Sequence, residues 1–133
     1  MGFTFLSPWS SQILSLLRII TGALFLAHGT AKYLAFPHVA MFDNLEPLSL
    51  LGVAGMLEIV GGALIIVGLF TRPVAFILSG MMAVAYFLAH AQQNFHPILN
   101  GGEPAILFCF IFLYIAAVGG GPWALDRALS KKG

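Results

Sequence analysis

Glu58 lies in the middle of residues 51–70, a run otherwise made of Leu, Val, Ile, Ala, Gly, Met and Phe. A lone ionised carboxylate in hydrocarbon costs at least about 2.5–3.5 kcal/mol, so Glu58 needs a partner or a task. The other apolar runs hold candidates for both: His28 and Lys32, then Tyr86 and His90, then Glu103. Imidazoles exchange protons near neutral pH, a buried carboxylate carries one, and a lysine supplies a counter-charge. One chemistry that uses this set is the binding of a quinone-like ring. Its carbonyls need donors such as His28 or His90, its reduction needs a proton carrier such as Glu58, and its ring needs apolar walls such as Phe25, Tyr86 and Phe110.

Other readings use the same residues. Glu58 paired with Lys32 and hydrogen-bonded to His28 would be a purely structural tie between helices. A membrane-embedded glutamate also suits a small proton-coupled transporter, although Lys32 and two histidines disfavour a cationic substrate. His28 and His90 offer two imidazoles to a haem iron. A non-catalytic scaffold or assembly partner needs no pocket chemistry at all. The chain carries no flavin or nicotinamide fingerprint, so a redox role requires a partner redox protein as electron source. Cys109 is the one cysteine, which excludes an internal disulfide and a Cys-rich metal site; it reads as a packed thiol.

The elements that position these residues follow from composition. Of 133 residues, 59% are hydrophobic and 8% charged, and mean hydropathy is +0.96. Soluble domains carry about 25% charged residues, so the chain reads as a single integral membrane domain, residues 1–133, in a lipid bilayer. A net charge of +1 with no basic run excludes nucleic acid as a partner. Spans are expected at 13–33, 51–70, 73–91 and 104–120, each near the ~20 residues that hydrocarbon requires. They make an all-α, antiparallel up-down-up-down four-helix bundle. The start does not read as a cleaved leader, because Arg18 interrupts the first apolar run and no small-residue cleavage site follows.

Lys and Arg set the orientation. Arg72, expected in a tight turn at 71–72, and the basic tail 122–133 with Arg127, Lys131 and Lys132 share one side with Arg18, against Lys32 alone on the other. The positive-inside rule then places both termini in the cytoplasm, with Trp9 and Trp123 at that interface. Arg18, Arg72 and Asp126 form an expected charge cluster there, with Asp126 as the available acid. Segment 34–49 is expected to hold a short amphipathic interfacial helix starting near Pro37. Together with 92–103 it would lid a pocket at the opposite end.

Spacing turns the polar residues inward. Arg18, Thr21, Phe25, His28 and Lys32 recur at steps of 3 and 4 on the first span, which is one helical face. Gly55, Glu58 and Gly62 do so on the second, Ser79, Ala83, Tyr86 and His90 on the third, and Glu103, Leu107, Phe110 and Tyr114 on the fourth. Glu58 then lies about 10 Å below the membrane boundary at ~1.5 Å per residue, with His28 about as deep. Phe25-Leu26-Ala27-His28 recurs as Phe87-Leu88-Ala89-His90. Two parallel hairpins would produce this, as would chance in a chain so rich in Phe, Leu and Ala. Gly52, Gly61 and Gly68 are read as exposed small-residue faces that permit a homo-oligomer.

These pieces together resemble the DoxX family of small prokaryotic membrane proteins. The resemblance rests on Arg18 with Gly22, on His28-Gly29-x-x-Lys32, and on Glu58 followed by Gly61-Gly62. It continues through Gly68-Leu69-Phe70-Thr71-Arg72, His90, Asn100-Gly101-Gly102-Glu103, Gly119–Pro122 and Leu125-Asp126. Ala124 stands where the family usually has Ser before Leu-Asp. The resemblance implies a four-helix bundle in the cytoplasmic membrane of a prokaryote. Some relatives are subunits of a thiosulfate:quinone oxidoreductase, and others are linked to membrane thiol or oxidative-stress systems.

Overall fold

Ser49 and Gly68 bound the helix that carries Glu58. Ser49 Oγ accepts the Gly52 N–H at 3.1 Å, satisfying one of the donors orphaned at a helix start. Gly68 closes the other end at φ 76°, a left-handed conformation that suits glycine. Between them runs α2 (Leu50–Val67). In the computed structural model, which describes residues 2–130, the other helices are α1 (Ser10–Tyr33), α3 (Thr71–Ala85), α4 (Pro97–Asn100), α5 (Glu103–Val118) and α6 (Leu125–Ser130). Single 3-10 turns stand at Ser7–Trp9 and Ala40–Phe42, and a π-turn, Tyr86–His90, extends α3. Among the described residues there is no strand. Lys131 and Lys132 of the expected basic tail lie outside the described residues.

Ser7–Tyr33, Leu50–Val67 and Thr71–His90 are long and apolar enough to cross a membrane, while Glu103–Val118 is apolar but shorter. The expected spans differ from these elements mainly at their ends. The helix expected over 104–120 stops at Val118, because Gly119 leaves the helical region at φ 89°. The turn expected at 71–72 lies earlier, at Gly68–Phe70. Arg72 and Pro73 already belong to the first turn of α3, where a proline's missing N–H costs no bond. The amphipathic helix expected in 34–49 shrinks to the 3-10 turn at Ala40–Phe42.

The outward faces of the helices are themselves apolar. Leu24 on α1, Val60 on α2, Phe76 and Ile77 on α3, and Leu107 and Phe110 on α5 are all exposed. Helices apolar on every side belong in a bilayer. The interior is built from Phe25, Ile65, Leu78, Phe108, Phe112 and Ile115, with Phe25 edge-on to both Phe108 and Phe112 at centroid separations of 5.4 and 5.0 Å. α3 is tied to α5 by Ser79 Oγ, which donates to the Cys109 carbonyl at 2.7 Å.

α1 meets α2 across glycines. A Cβ on Gly29 would stand 2.7 Å from Ile59 Cγ1 and 2.9 Å from the Gly55 carbonyl, so neither backbone could come so close with larger residues there. Gly52, Gly61 and Gly68 are buried inside this protomer, against Pro47, Leu78 and Ala124 respectively. The expectation that they form exposed faces for a second copy is therefore corrected: short loops and neighbouring helices already occupy the space they leave.

The Arg18 end of the fold is held by backbone groups. Arg18 is fully buried; its Nε donates to the Gly120 carbonyl at 2.8 Å and its Nη1 to the Ile65 and Ile66 carbonyls at 2.8 and 2.5 Å. Arg72 Nη1 donates to the Ala117 carbonyl at 2.6 Å. Asp126 accepts the Phe70 and Thr71 N–H groups, each at 2.8 Å. It therefore caps α3 and makes no ion pair with either arginine; the pairs among the described residues are Lys32–Glu58 and His38–Asp43. The cap wins because the start of α3 presents two aligned donors that no side chain of its own satisfies. Burial opposes ionisation of Asp126, but these N–H groups, the nearby Thr71 hydroxyl and the Arg18 charge outweigh it and hold its pKa below the usual carboxylate value.

Two measurements check this packing. Gly29→Ala should destabilise by about 1–3 kcal/mol through overpacking. Gly80→Ala, where a Cβ meets nothing within 4 Å, should be neutral or stabilising by up to ~1 kcal/mol; equal melting shifts for the two would refute the close crossing. A pKa depressed in the fold means that Asp126 supplies its stability at neutral pH and loses it as pH falls below about 4. Asp126→Asn should flatten that acid limb of a thermal-stability profile, whereas an unchanged limb would assign the acid sensitivity elsewhere.

Candidate functional site

Lys32 reaches Glu58 because α2 presents no side chain in its path. A Cβ on Gly55 would stand 2.9 Å from Lys32 Cδ, so the lysine stem lies across bare backbone. Lys32 Nζ then meets Glu58 Oε1 at 2.7 Å, with side chains only 8% and 6% exposed. Phe42, from the 3-10 turn, covers the ammonium with its ring centroid 5.0 Å from Nζ, a cation–π contact. Tyr33, the next residue, donates its hydroxyl proton to the Gly52 carbonyl at 2.6 Å and pins the start of α2.

This pair forms part of the wall of a cavity of about 500 Å³. Phe25, Phe108, Met81 and Met82 supply apolar lining, Met41 and Phe42 close one side, and Gln93 and Gly101 border another. His28 and His90 both line it, although one stands on α1 and the other on the π-turn. Each copy of the Phe-Leu-Ala-His tetrapeptide thus delivers its histidine to the same space. His28 makes no hydrogen bond to the described residues and packs edge-on to Phe108, with centroids 5.8 Å apart. The expected His28–Glu58 hydrogen bond is not formed; the Glu58 carboxylate is taken by Lys32 instead.

His90 is oriented from behind. Its Nδ1 lies 2.9 Å from the Asn100 carbonyl, an atom that only accepts, so Nδ1 is the donor. In the neutral ring Nε2 is then left as an acceptor. The π-turn carries His90: the Ala91 N–H donates to the Tyr86 carbonyl at 2.9 Å, five residues back, and such insertions recur at functional sites.

Three expected site residues lie elsewhere. Glu103 is exposed on the first turn of α5 and is absent from the cavity wall; its charge there complements the helix dipole. Phe110 is exposed as well, and Phe108 takes the place expected for it. The polar stripe Glu103, Leu107, Phe110 and Tyr114 faces outward, because the packed face of α5 is Ala105, Phe108, Phe112 and Ile115. Tyr86 also leaves the wall: its ring covers Gly102 and its hydroxyl accepts from Asn100 Nδ2 at 3.1 Å. Asn100 organises this whole loop, since its Nδ2 also donates to the Asn94 carbonyl and its Oδ1 accepts the Gly102 N–H. The run Asn100-Gly101-Gly102 is the only sequence signal that marks it.

The DoxX family model matches residues 13–91, a stretch that contains Arg18, His28, Lys32, Glu58 and His90. The chain belongs to the DoxX family. An uncharacterized protein of Haemophilus influenzae is 46% identical to it over 96% of this chain and 98% of that protein. No solved structure matches. In this DoxX protein the family match covers α1, α2 and α3, while α5, which brings Phe108 to the cavity, lies beyond the matched residues.

Removing one member of a buried ion pair strands the other charge and typically costs about 3–5 kcal/mol. Lys32→Met should therefore melt well below wild type, and adding Glu58→Gln should restore most of the loss. Additive losses in the double variant would separate the two residues energetically.

Proposed function

We propose that this DoxX-family membrane protein is a single four-span domain whose cavity binds a quinone-like or similar small apolar ligand, as part of a membrane oxidoreductase system. The observation that carries the reading is the Lys32–Glu58 ion pair set into the wall of an otherwise apolar cavity beside two histidines. A volume of about 500 Å³ suits a ring-sized ligand, since small-molecule sites run from about 300 to 1,000 Å³. His28, which makes no hydrogen bond among the described residues, donates to a ligand carbonyl. His90 offers Nε2 as an acceptor to a hydroxyl. Glu58 exchanges the proton while Lys32 holds its charge, and a partner redox protein supplies the electrons.

In this reading α5 completes the antiparallel up-down-up-down bundle despite its length. The membrane is the plasma membrane of a prokaryote, both termini are cytoplasmic, and the cavity opens toward the outer face. Arg72 and Arg127 at the Arg18 end support that orientation through the positive-inside rule. A second reading, a non-catalytic scaffold, is favoured by the closed geometry of Lys32 and Glu58, which satisfy each other at 2.7 Å and leave the tie purely structural.

Quantifying quinone in solvent extracts of protein purified from its native membranes separates the two. Near-equimolar quinone in wild type, strongly reduced in Glu58→Gln and His28→Ala, is the expected result. Its absence from wild type overturns the binding site and leaves the scaffold, and full retention in both variants removes Glu58 and His28 from the site.

A further inference from the structure

At the opposite end from the cavity, a cleft of about 580 Å³ opens between α1, the start of α3 and the 119–127 segment. Arg72 and Arg127 line it. Asp126 lines it too, but its two oxygens are committed to the Phe70 and Thr71 N–H groups. Among the described residues no carboxylate forms an ion pair with Arg72 or Arg127. Arg72 uses Nη1 on the Ala117 carbonyl, which braces its guanidinium and leaves Nε and Nη2 without described acceptors. Beneath the floor, Arg18 holds the carbonyl of Gly120, a cleft residue, and its own Nη2 meets no acceptor among the described residues. Two arginines thus line the cleft and a third lies beneath it, against one carboxylate whose oxygens face the start of α3. The remaining walls combine the hydroxyl residues Ser11, Thr71 and Ser130 with an apolar part made of Leu14, Phe70, Val118 and Pro122, of which Phe70 and Val118 are exposed.

From this arrangement we infer that the cleft is a binding site for the phosphate headgroup of an anionic phospholipid, with its acyl chains lying along Phe70 and Val118. Arginine suits this task because its planar fork meets phosphate oxygens in pairs. Basic pockets between membrane helices bind such headgroups. A soluble phosphate compound would use the two arginines but would have no need of the apolar lip. A lipid uses both, and the bilayer supplies it at the depth of the cleft. The site is separate from the Lys32–Glu58 cavity and does not depend on any ligand bound there.

The test is native mass spectrometry of the full chain, released from nanodiscs containing equal amounts of phosphatidylglycerol and phosphatidylcholine. The wild type should retain phosphatidylglycerol preferentially, at one molecule per chain. Arg127→Gln, at an exposed side chain with no described partner, should reduce that preference roughly fivefold, and Arg72→Gln with Arg127→Gln should abolish it. Arg72→Lys keeps the charge but loses the fork, and should fall between wild type and the double variant; circular dichroism melts verify that each variant is folded. Equal retention of the two lipids by wild type, or an unchanged preference in folded Arg127→Gln, overturns the site. Displacement of the lipid by glycerol phosphate at equal concentration would also overturn it, by assigning the cations to a soluble phosphate.

Discussion

Hydrocarbon solvates no charge, and α1 carries two cations on one face. Each is answered by α2, in a different currency. Arg18 meets the carbonyls of Ile65 and Ile66, groups that the end of any helix leaves unsatisfied. Lys32 meets the carboxylate of Glu58. The two contacts stand about 21 Å apart along α1 at ~1.5 Å per residue, and the glycine crossing lies between them. Two polar staples and a close backbone approach fix the register and separation of the pair. The cavity, its histidines and the distal loops are built on that frame. Removing Lys32 would leave the Glu58 carboxylate without its counter-charge, and removing Arg18 would leave the Ile65, Ile66 and Gly120 carbonyls without their donor.

The same demand explains how the rest of the fold is closed. Gly120 gives its carbonyl to Arg18, Ala117 gives its carbonyl to Arg72, and Asp126 gives both oxygens to the start of α3. The segment after α5 therefore returns to α1, α2 and α3 together. At the other end Asn100 performs the corresponding service for the loop that holds His90. At both ends, polar side chains bonded to backbone groups hold the connecting segments in place.

Much of this was legible in the sequence, for a physical reason. Apolar run length sets helix ends to within a few residues. Steps of 3 and 4 place Arg18, Thr21 and Phe25 on one buried face and Lys32 opposite Glu58, because a charge in an apolar segment has few places to go. The rest was illegible because periodicity needs contrast. α5 is apolar all round, so its few polar residues, Glu103 and Tyr114, mark its surface rather than its core, and a stripe drawn through them points outward. The partners of Arg18 and Asp126 could not be read either. They are backbone groups at chain positions with no side-chain signature, and only the turn at Gly68 and the return of the tail bring them within reach.

One surplus residue in the turn at Tyr86–His90 decides how the two Phe-Leu-Ala-His copies differ. In α1 the tetrapeptide follows an unbroken helix, and its phenylalanine is buried while its histidine borders the cavity. Beyond Ala85 the winding is looser, so Phe87 swings out to 66% exposure even as His90 comes round to the same space. The local change in helical phase uncouples the aromatic ring from the imidazole that follows it. Twin peptides thereby present unlike surfaces, and the chamber is lopsided: anchored by packed rings on one flank, and on the other edged by a wider coil whose pitch helps set where its imidazole points.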